Sequence, residues 1–78
     1  MSVRYITYQI DDNDQDRKYF FSLLEKLNAR EITEWTYKVD STIPLEQFCT
    51  QLKSCTKDGD RITVIYKTNL DITHIVVR

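Results

Sequence analysis

The side chains best suited to chemistry are the carboxylates that follow the first strand-like segment. Residues 11–16, Asp-Asp-Asn-Asp-Gln-Asp, place five Asp or Asn side chains in six positions. Asp11 and Asp12 are candidate metal ligands and the only candidate catalytic residues, because Mg²⁺ or Mn²⁺ prefers carboxylate oxygens. Asp and Asn also favour turns and helix caps through their side-chain hydrogen bonds, and we favour that structural role.

The other reactive side chains are few. His74 is the only histidine, and Cys49 and Cys55 are the only cysteines. Two cysteines six residues apart on one helix have Cα atoms about 9 Å apart, beyond the roughly 7 Å that a disulfide allows. We therefore expect two free thiols, which suit a reducing cytoplasm, with Cys49 in the core. His74 is expected to be a structural histidine on a sheet face, and no cofactor-binding residue is identified.

Aromatic residues are the remaining candidates for binding. Tyr5, Tyr19, Trp35 and Tyr37 could stack on nucleic-acid bases, as exposed aromatic residues do in RNA-binding sheets. Trp35 and Tyr37 lie on the more apolar side of their predicted strand. That position favours the core or a dimer interface over base stacking.

Two residue spacings define the elements that position these groups. Val3 to Ile10 alternates between apolar and polar residues and predicts a strand. The segment 17–29 then repeats apolar residues at i, i+3, i+4 and i+7, which predicts a helix that Asn28 ends. The apolar positions of that helix are Phe20, Leu23, Leu24 and Leu27.

The second half repeats this order. Alternation predicts a strand over Ile32 to Val39, and a short strand over 39–43 before Pro44 opens a second helix. That helix buries Leu45, Phe48, Cys49 and Leu52. Gly59, the only glycine, is expected to follow the helix with a positive φ. Strands are predicted over Arg61 to Lys67 and Ile72 to Val77.

The elements together predict one α+β domain spanning residues 1–78. The order fits a ferredoxin-like βαββαβ core with an extra C-terminal strand, in which two helices cover one face of a single, mostly antiparallel sheet. The opposite face carries Tyr5 and is left bare, and we expect it to be too apolar to remain hydrated. Because a chain of 78 residues builds only a small core, we expect a second copy to stack on that bare face and form a homodimer.

Composition limits the function classes. The chain has 11 Lys and Arg residues and 12 Asp and Glu residues, a net charge of −1, which does not indicate broad electrostatic contact with nucleic acid. No apolar run approaches 18 residues and no secretory signal is present, so we expect a cytoplasmic protein without a membrane span. Basic residues such as Arg4, Arg17, Lys18 and Arg30 are scattered along the chain.

Three short segments resemble a known family. They are residues 8–12, Tyr-Gln-Ile-Asp-Asp; the aromatic and polar stretch 35–42; and residues 60–65, Asp-Arg-Ile-Thr-Val-Ile. In order and length the chain is similar to the small ferredoxin-fold proteins of the CRISPR-associated protein two family and their relatives such as virulence-associated protein D. The resemblance implies a homodimer with packed sheets that acts as a metal-dependent nuclease or holds DNA without cutting it.

One departure bears on activity. The aspartate that the family places after the strand tyrosine, and that is proposed to hold a metal, corresponds here to Gln9. A neutral amide is a poor Mg²⁺ ligand, so the resemblance implies degenerate or absent nuclease chemistry. Two hypotheses follow: a homodimeric nucleic-acid-associated protein, or a non-catalytic protein–protein interaction module of a defence, toxin–antitoxin or phage system.

Overall fold

The computed structural model describes residues 2–10 and 14–78, and it is an α+β arrangement of two helices and five strands. The helices are α1 (Asp14–Lys26) and α2 (Leu45–Ser54). The strands are β1 (Ser2–Gln9), β2 (Arg30–Thr33), β3 (Thr36–Ser41), β4 (Arg61–Lys67) and β5 (Ile72–Val76). Neither described helix is long and apolar enough to cross a membrane.

The strands form one sheet in the order β2-β3-β1-β4-β5, and every neighbouring pair is antiparallel. β1 lies at the centre, between β3 and β4, while β2 and β5 are the two edges. The two-helix, antiparallel arrangement is compatible with a ferredoxin-like fold. The predicted α+β class, with a single antiparallel sheet, is confirmed.

Both helices pack on the same face of the sheet. The buried core contains residues from both the strands and the helices. The strands contribute Ile6, Tyr8, Val39, Ile62 and Val64, and the helices contribute Phe20, Leu24, Phe48 and Leu52. The strand members share a face because Ile6 is directly opposite Val64, and Tyr8 is directly opposite Ile62. The predicted apolar faces of both helices are therefore correct, since each supplies its buried residues to one cluster.

The predicted strand over Ile32 to Val39, followed by a short strand over 39–43, was wrong. The chain instead turns at Glu34-Trp35 between β2 and β3, with Thr33 opposite Thr36. The turn contains no Gly, Asn or Asp, and neither central residue has a positive φ, so the usual sequence signals of a tight hairpin are missing. A register shift between Glu31 and Thr33 accommodates this turn.

Asn28 and Gly59 follow the two helices, as predicted, and both have a positive φ; α1, however, begins and ends three residues before the predicted 17–29, and α2 already ends at Ser54. Asn28 has a φ of 55° and follows α1, where the Ala29 amide donates to the Leu24 carbonyl at 2.9 Å. This is a left-handed helix cap, a conformation that asparagine tolerates better than most residues. Gly59 has a φ of 100° in the loop after α2. Pro44 is the N-cap of α2, one position before the helix.

Candidate functional site

The face of the sheet opposite the helices, called here the open face, is built from alternate residues of all five strands. One row crosses the sheet through directly paired positions, because Tyr5 is opposite both Lys38 and Ile65. Arg30 pairs with Lys38 at one end of the row, and His74 pairs with Ile65 at the other. Directly opposed side chains lie about 5 Å apart at Cβ, so this row places the Lys38 cation on one side of the Tyr5 ring and the apolar Ile65 on the other.

Charge is unequally divided between the open face and the rest of the molecule. Strand alternation places four of the 11 Lys and Arg residues and one of the 12 Asp and Glu residues on the open face, a net charge of +3. These are Arg30, Lys38, Arg61, Lys67 and Asp40. The rest of the chain carries −4, so a net charge of −1 conceals a positive face.

A second row of the open face consists mainly of hydroxyl groups. Thr7 is directly opposite Thr36 on one side and Thr63 on the other. Thr33 extends the row into β2, and Val76 completes it in β5. Cross-strand threonine pairs stabilise a sheet, and their hydroxyls donate and accept hydrogen bonds on its surface.

The open face also carries apolar side chains, but it is not a uniformly apolar surface. Tyr5 and Val3 are 36% and 39% exposed, and Ile72 and Val76 on β5 are 67% and 65% exposed. Tyr5 therefore lies on the bare face as predicted. The apolar residues alternate with the cations and threonines, so the expectation of a face too apolar to remain hydrated is not met.

A pocket of about 460 Å³ lies where β1 and β4 approach the β2–β3 turn. Its lining residues are Thr7, Tyr8, Gln9, Trp35, Arg61 and Thr63. Gln9 is directly opposite Arg61, and Thr7 is directly opposite Thr63, so four polar side chains of the open face form adjacent cross-strand pairs. Arg61 is exposed and has no salt bridge within the described residues.

Trp35 was expected in the core or a dimer interface; it is 48% exposed in the single chain, so it lies outside the core, and the dimer interface stays a prediction. Its ring meets the Tyr8 ring edge to face at 5.7 Å, and its carbonyl accepts the Tyr8 amide hydrogen at 3.0 Å. Trp35 leaves the core because it is a turn residue. Tyr37, on β3, does pack against the core cluster as predicted.

The tyrosine hydroxyls on the helix side hold the β2–β3 hairpin. Tyr8 donates to the Glu34 carbonyl at 3.1 Å, and Tyr37 donates to Oε2 of Glu31 at 3.4 Å. Burial raises the pKa of Tyr8, and Tyr37 and Glu31 raise it further. Burial also raises the pKa of Tyr37, to which the charge and the hydrogen bond of Glu31 add. Both hydroxyls therefore stay protonated at neutral pH and donate the hydrogen bonds that hold the turn beside the pocket.

Arg4 is an unusual residue of the helix side. It is only 5% exposed, and its guanidinium carbon lies 4.8 Å from the centroid of the Phe48 ring. One of its terminal nitrogens, Nη1, is buried and has no hydrogen-bond partner. Such a group is costly because it has left water without a full replacement for its hydrogen bonds.

The other predicted residues lie apart from one another. Asp11 and Asp12 lie outside the described residues. His74 is exposed on the open face at the β5 edge, in keeping with its predicted position on a sheet face. Cys49 and Cys55 are free thiols; Cys49 is half-buried against the core, where burial raises its pKa and Arg4 lowers it. Within the described residues no three His, Cys, Asp or Glu side chains are grouped to hold a metal.

The positive open face was missed at the level of sequence because the basic residues were judged scattered. Arg61 and Lys67 lie on the polar side of an alternating strand, a signal that was available. The pairing of Arg30 with Lys38 depends on the β2–β3 register, which no sequence pattern indicated. Comparison of the chain with family models, with curated proteins and with solved structures returned no match.

Proposed function

We propose that the chain is a nucleic-acid-associated protein whose open face contacts the sugar–phosphate backbone. The segregation of charge carries this proposal, because a net charge of +3 lies on one face of a chain whose total is −1. Phosphate contacts from Lys and Arg supply most non-specific affinity for nucleic acid. The ferredoxin-like topology and the family resemblance belong to the same proposal, together with a cytoplasmic location.

The arrangement of the open face favours a single strand as ligand. Tyr5, at the centre of the face, lies between Lys38 and Ile65 and is 36% exposed. Single-strand binding combines a positive surface that follows the backbone with aromatic rings on which bases stack. The threonine hydroxyls of the neighbouring row add neutral donors to phosphate or sugar oxygens.

A homodimer stays a prediction, and its stacking surface competes with this ligand. Two open faces brought together bury eight cations and two acids, and unpaired charges in an interface are strongly unfavourable. A nucleic-acid strand neutralises the same cations. We therefore propose that the open face remains free for nucleic acid whether or not a second copy binds elsewhere.

The test is binding of fluorescein-labelled single-stranded DNA and RNA, followed by fluorescence anisotropy. Removing two open-face charges with Lys38→Gln and Arg61→Gln should weaken binding more than tenfold, since each phosphate contact is worth roughly fivefold at 0.1 M salt. The matched control is Lys18→Gln with Lys26→Gln, which removes the same charge from exposed positions of α1. Equal loss in both double variants would contradict an open-face site.

Cleavage of nucleic acid is a separate proposal from binding, and it depends on Asp11 and Asp12. Asp11 and Asp12 would hold Mg²⁺ or Mn²⁺, which activates water on a phosphodiester. The described residues include no group of His, Cys, Asp or Glu side chains that could hold a metal on the open face. Metal-dependent cleavage that is lost in Asp11→Ala and Asp12→Ala would establish the enzyme, whereas cleavage that survives both substitutions would indicate another site or a contaminant.

A non-catalytic interaction module is the second candidate, and the β5 edge favours it. β5 pairs with β4 on one side and ends the sheet on the other. A cavity of about 540 Å³ lies between this edge and α2, with Leu45, Cys49, Ile75 and Val77 among its lining residues. An exposed edge strand accepts an extended segment of another protein by backbone hydrogen bonds. Co-purification with a defined partner, without salt-sensitive binding of nucleic acid, would favour this function.

A further inference from the structure

The pocket at the β2–β3 end of the open face has the composition of a site for one unpaired nucleotide. Arg61 supplies a fixed positive charge, and Thr7 and Thr63 supply hydroxyl groups, all on the same face of β1 and β4. These are groups that bind a phosphate, with the guanidinium forming two parallel hydrogen bonds. Gln9, directly opposite Arg61, adds an amide that donates and accepts.

Trp35 supplies the other half of such a site. It is half exposed, it lines the pocket, and it is held there by its contacts with Tyr8. β3, which follows Trp35, and β4, which carries Arg61, lie on opposite sides of β1. Two interstrand spacings, roughly 10 Å, therefore separate the aromatic group from the cation. The separation leaves room for the sugar that links a base to its phosphate.

We propose that this pocket binds one unpaired nucleotide of a single strand, with the base against Trp35 and the phosphate at Arg61. This inference rests on the proposed function, which it deepens by naming the residues that receive one base and one phosphate of the strand. A duplex keeps its bases stacked inside the helix, so it reaches the cations of the open face but offers no base to the pocket. The pocket therefore selects single strands over duplexes.

Trp35 is the only tryptophan in the chain, so its fluorescence reports on this pocket alone. The probe is an oligothymidylate of about eight nucleotides, a length within the range that one small domain covers. We expect it to quench Trp35 emission as it binds. A blunt-ended duplex of two complementary strands and inorganic phosphate, each at the same phosphate concentration, should leave the emission unchanged.

Variants separate the pocket from general electrostatics. Arg61→Gln and Lys67→Gln remove equal charges from opposite ends of β4. We expect both to weaken oligothymidylate binding roughly fivefold at 0.1 M salt, and only Arg61→Gln to lower the quenching measured at saturation. Trp35→Ala should lower single-strand affinity about tenfold or more, leave duplex affinity unchanged, and be largely rescued by Trp35→Phe.

The possible failures are distinguishable. Binding detected by anisotropy with no change in Trp35 emission would overturn the pocket and leave the proposed function standing. Absence of binding would overturn both. Quenching by inorganic phosphate equal to that by oligothymidylate would also overturn the proposal, because the site would then take a free anion. Equal loss of duplex and single-strand affinity in a folded Trp35→Ala variant would assign Trp35 a structural role only.

Discussion

At the scale of single residues, the buried arginine is a costly feature of the core. Arg4 lies over Phe48 on the helix side, and its Nη1 has no hydrogen-bond partner. A cation over an aromatic ring is favourable by about 1–2 kcal/mol when desolvated. Leaving a charged donor buried without a partner costs more than a typical neutral hydrogen bond returns.

Replacing Arg4 with an apolar side chain of similar length should therefore stabilise the fold. We expect Arg4→Met to raise the free energy of unfolding by about 1 kcal/mol, because it removes the unpaired charge and keeps a contact with Phe48. Urea denaturation followed by circular dichroism measures the change. Lys18→Met, at an exposed position of α1, is the control and should give no gain. A loss of stability in Arg4→Met would mean that the charge has a stabilising partner.

At the scale of elements, both helices, β1, β4 and β5 were predictable because each has a sustained period of 3.6 or 2. The β2–β3 hairpin was not, since Glu34-Trp35 turns without the residues that normally mark a tight turn. Its anchors are long-range: the Tyr8 hydroxyl reaches the Glu34 carbonyl across 26 residues. The position of Trp35 at the pocket follows from that hairpin, so this part of the site could not be predicted from the sequence either.

The hairpin anchor makes alkaline stability depend on Tyr8. Its pKa is raised from 10.0 in the folded state, first by burial, so the unfolded chain loses this proton at lower pH than the folded chain. Stability from the neutral hydroxyl is therefore complete below pH 10 and is lost as the pH rises through the folded pKa. We expect Tyr8→Phe to lower stability by about 1 kcal/mol at pH 7 and to flatten its decline above pH 10.

Urea unfolding between pH 7 and 11 measures this dependence. Tyr5→Phe is the matched control, since Tyr5 lies on the open face away from the hairpin anchor, and it should leave the alkaline profile unchanged. An identical decline above pH 10 in the wild type and in Tyr8→Phe would show that Tyr8 does not carry the effect.

At the scale of the whole molecule, the net charge of the chain misrepresents its binding surface. The open face carries +3 and the remainder −4, and only the strand register brings the cations together. A nucleic acid interacts mainly with the charges of the face that it approaches, because charges farther than about 10 Å are screened at 0.1 M salt. The conclusion drawn from a total of −1 therefore did not apply to this face.

The substitution Val76→Lys distinguishes a nucleic-acid strand from a second copy of the chain as the occupant of the open face. Val76 is 65% exposed beside the threonine row, so a lysine there adds a cation without disturbing the core. We expect single-strand affinity to rise several-fold, with a steeper dependence on salt. A homodimer stacked through this face would instead dissociate, which multi-angle light scattering detects. Lower affinity for single strands would contradict the nucleic-acid proposal.

The most direct test of the central claim is to map which face of the sheet a single strand covers. Methyl resonances suit this purpose, because Val3, Ile65 and Val76 lie on the open face, whereas Val39, Ile62 and Val64 lie in the core. In a carbon–proton methyl spectrum titrated with oligothymidylate, we predict concentration-dependent shifts of the open-face methyl groups and nearly constant core signals. Unchanged open-face signals at saturating ligand would contradict the account.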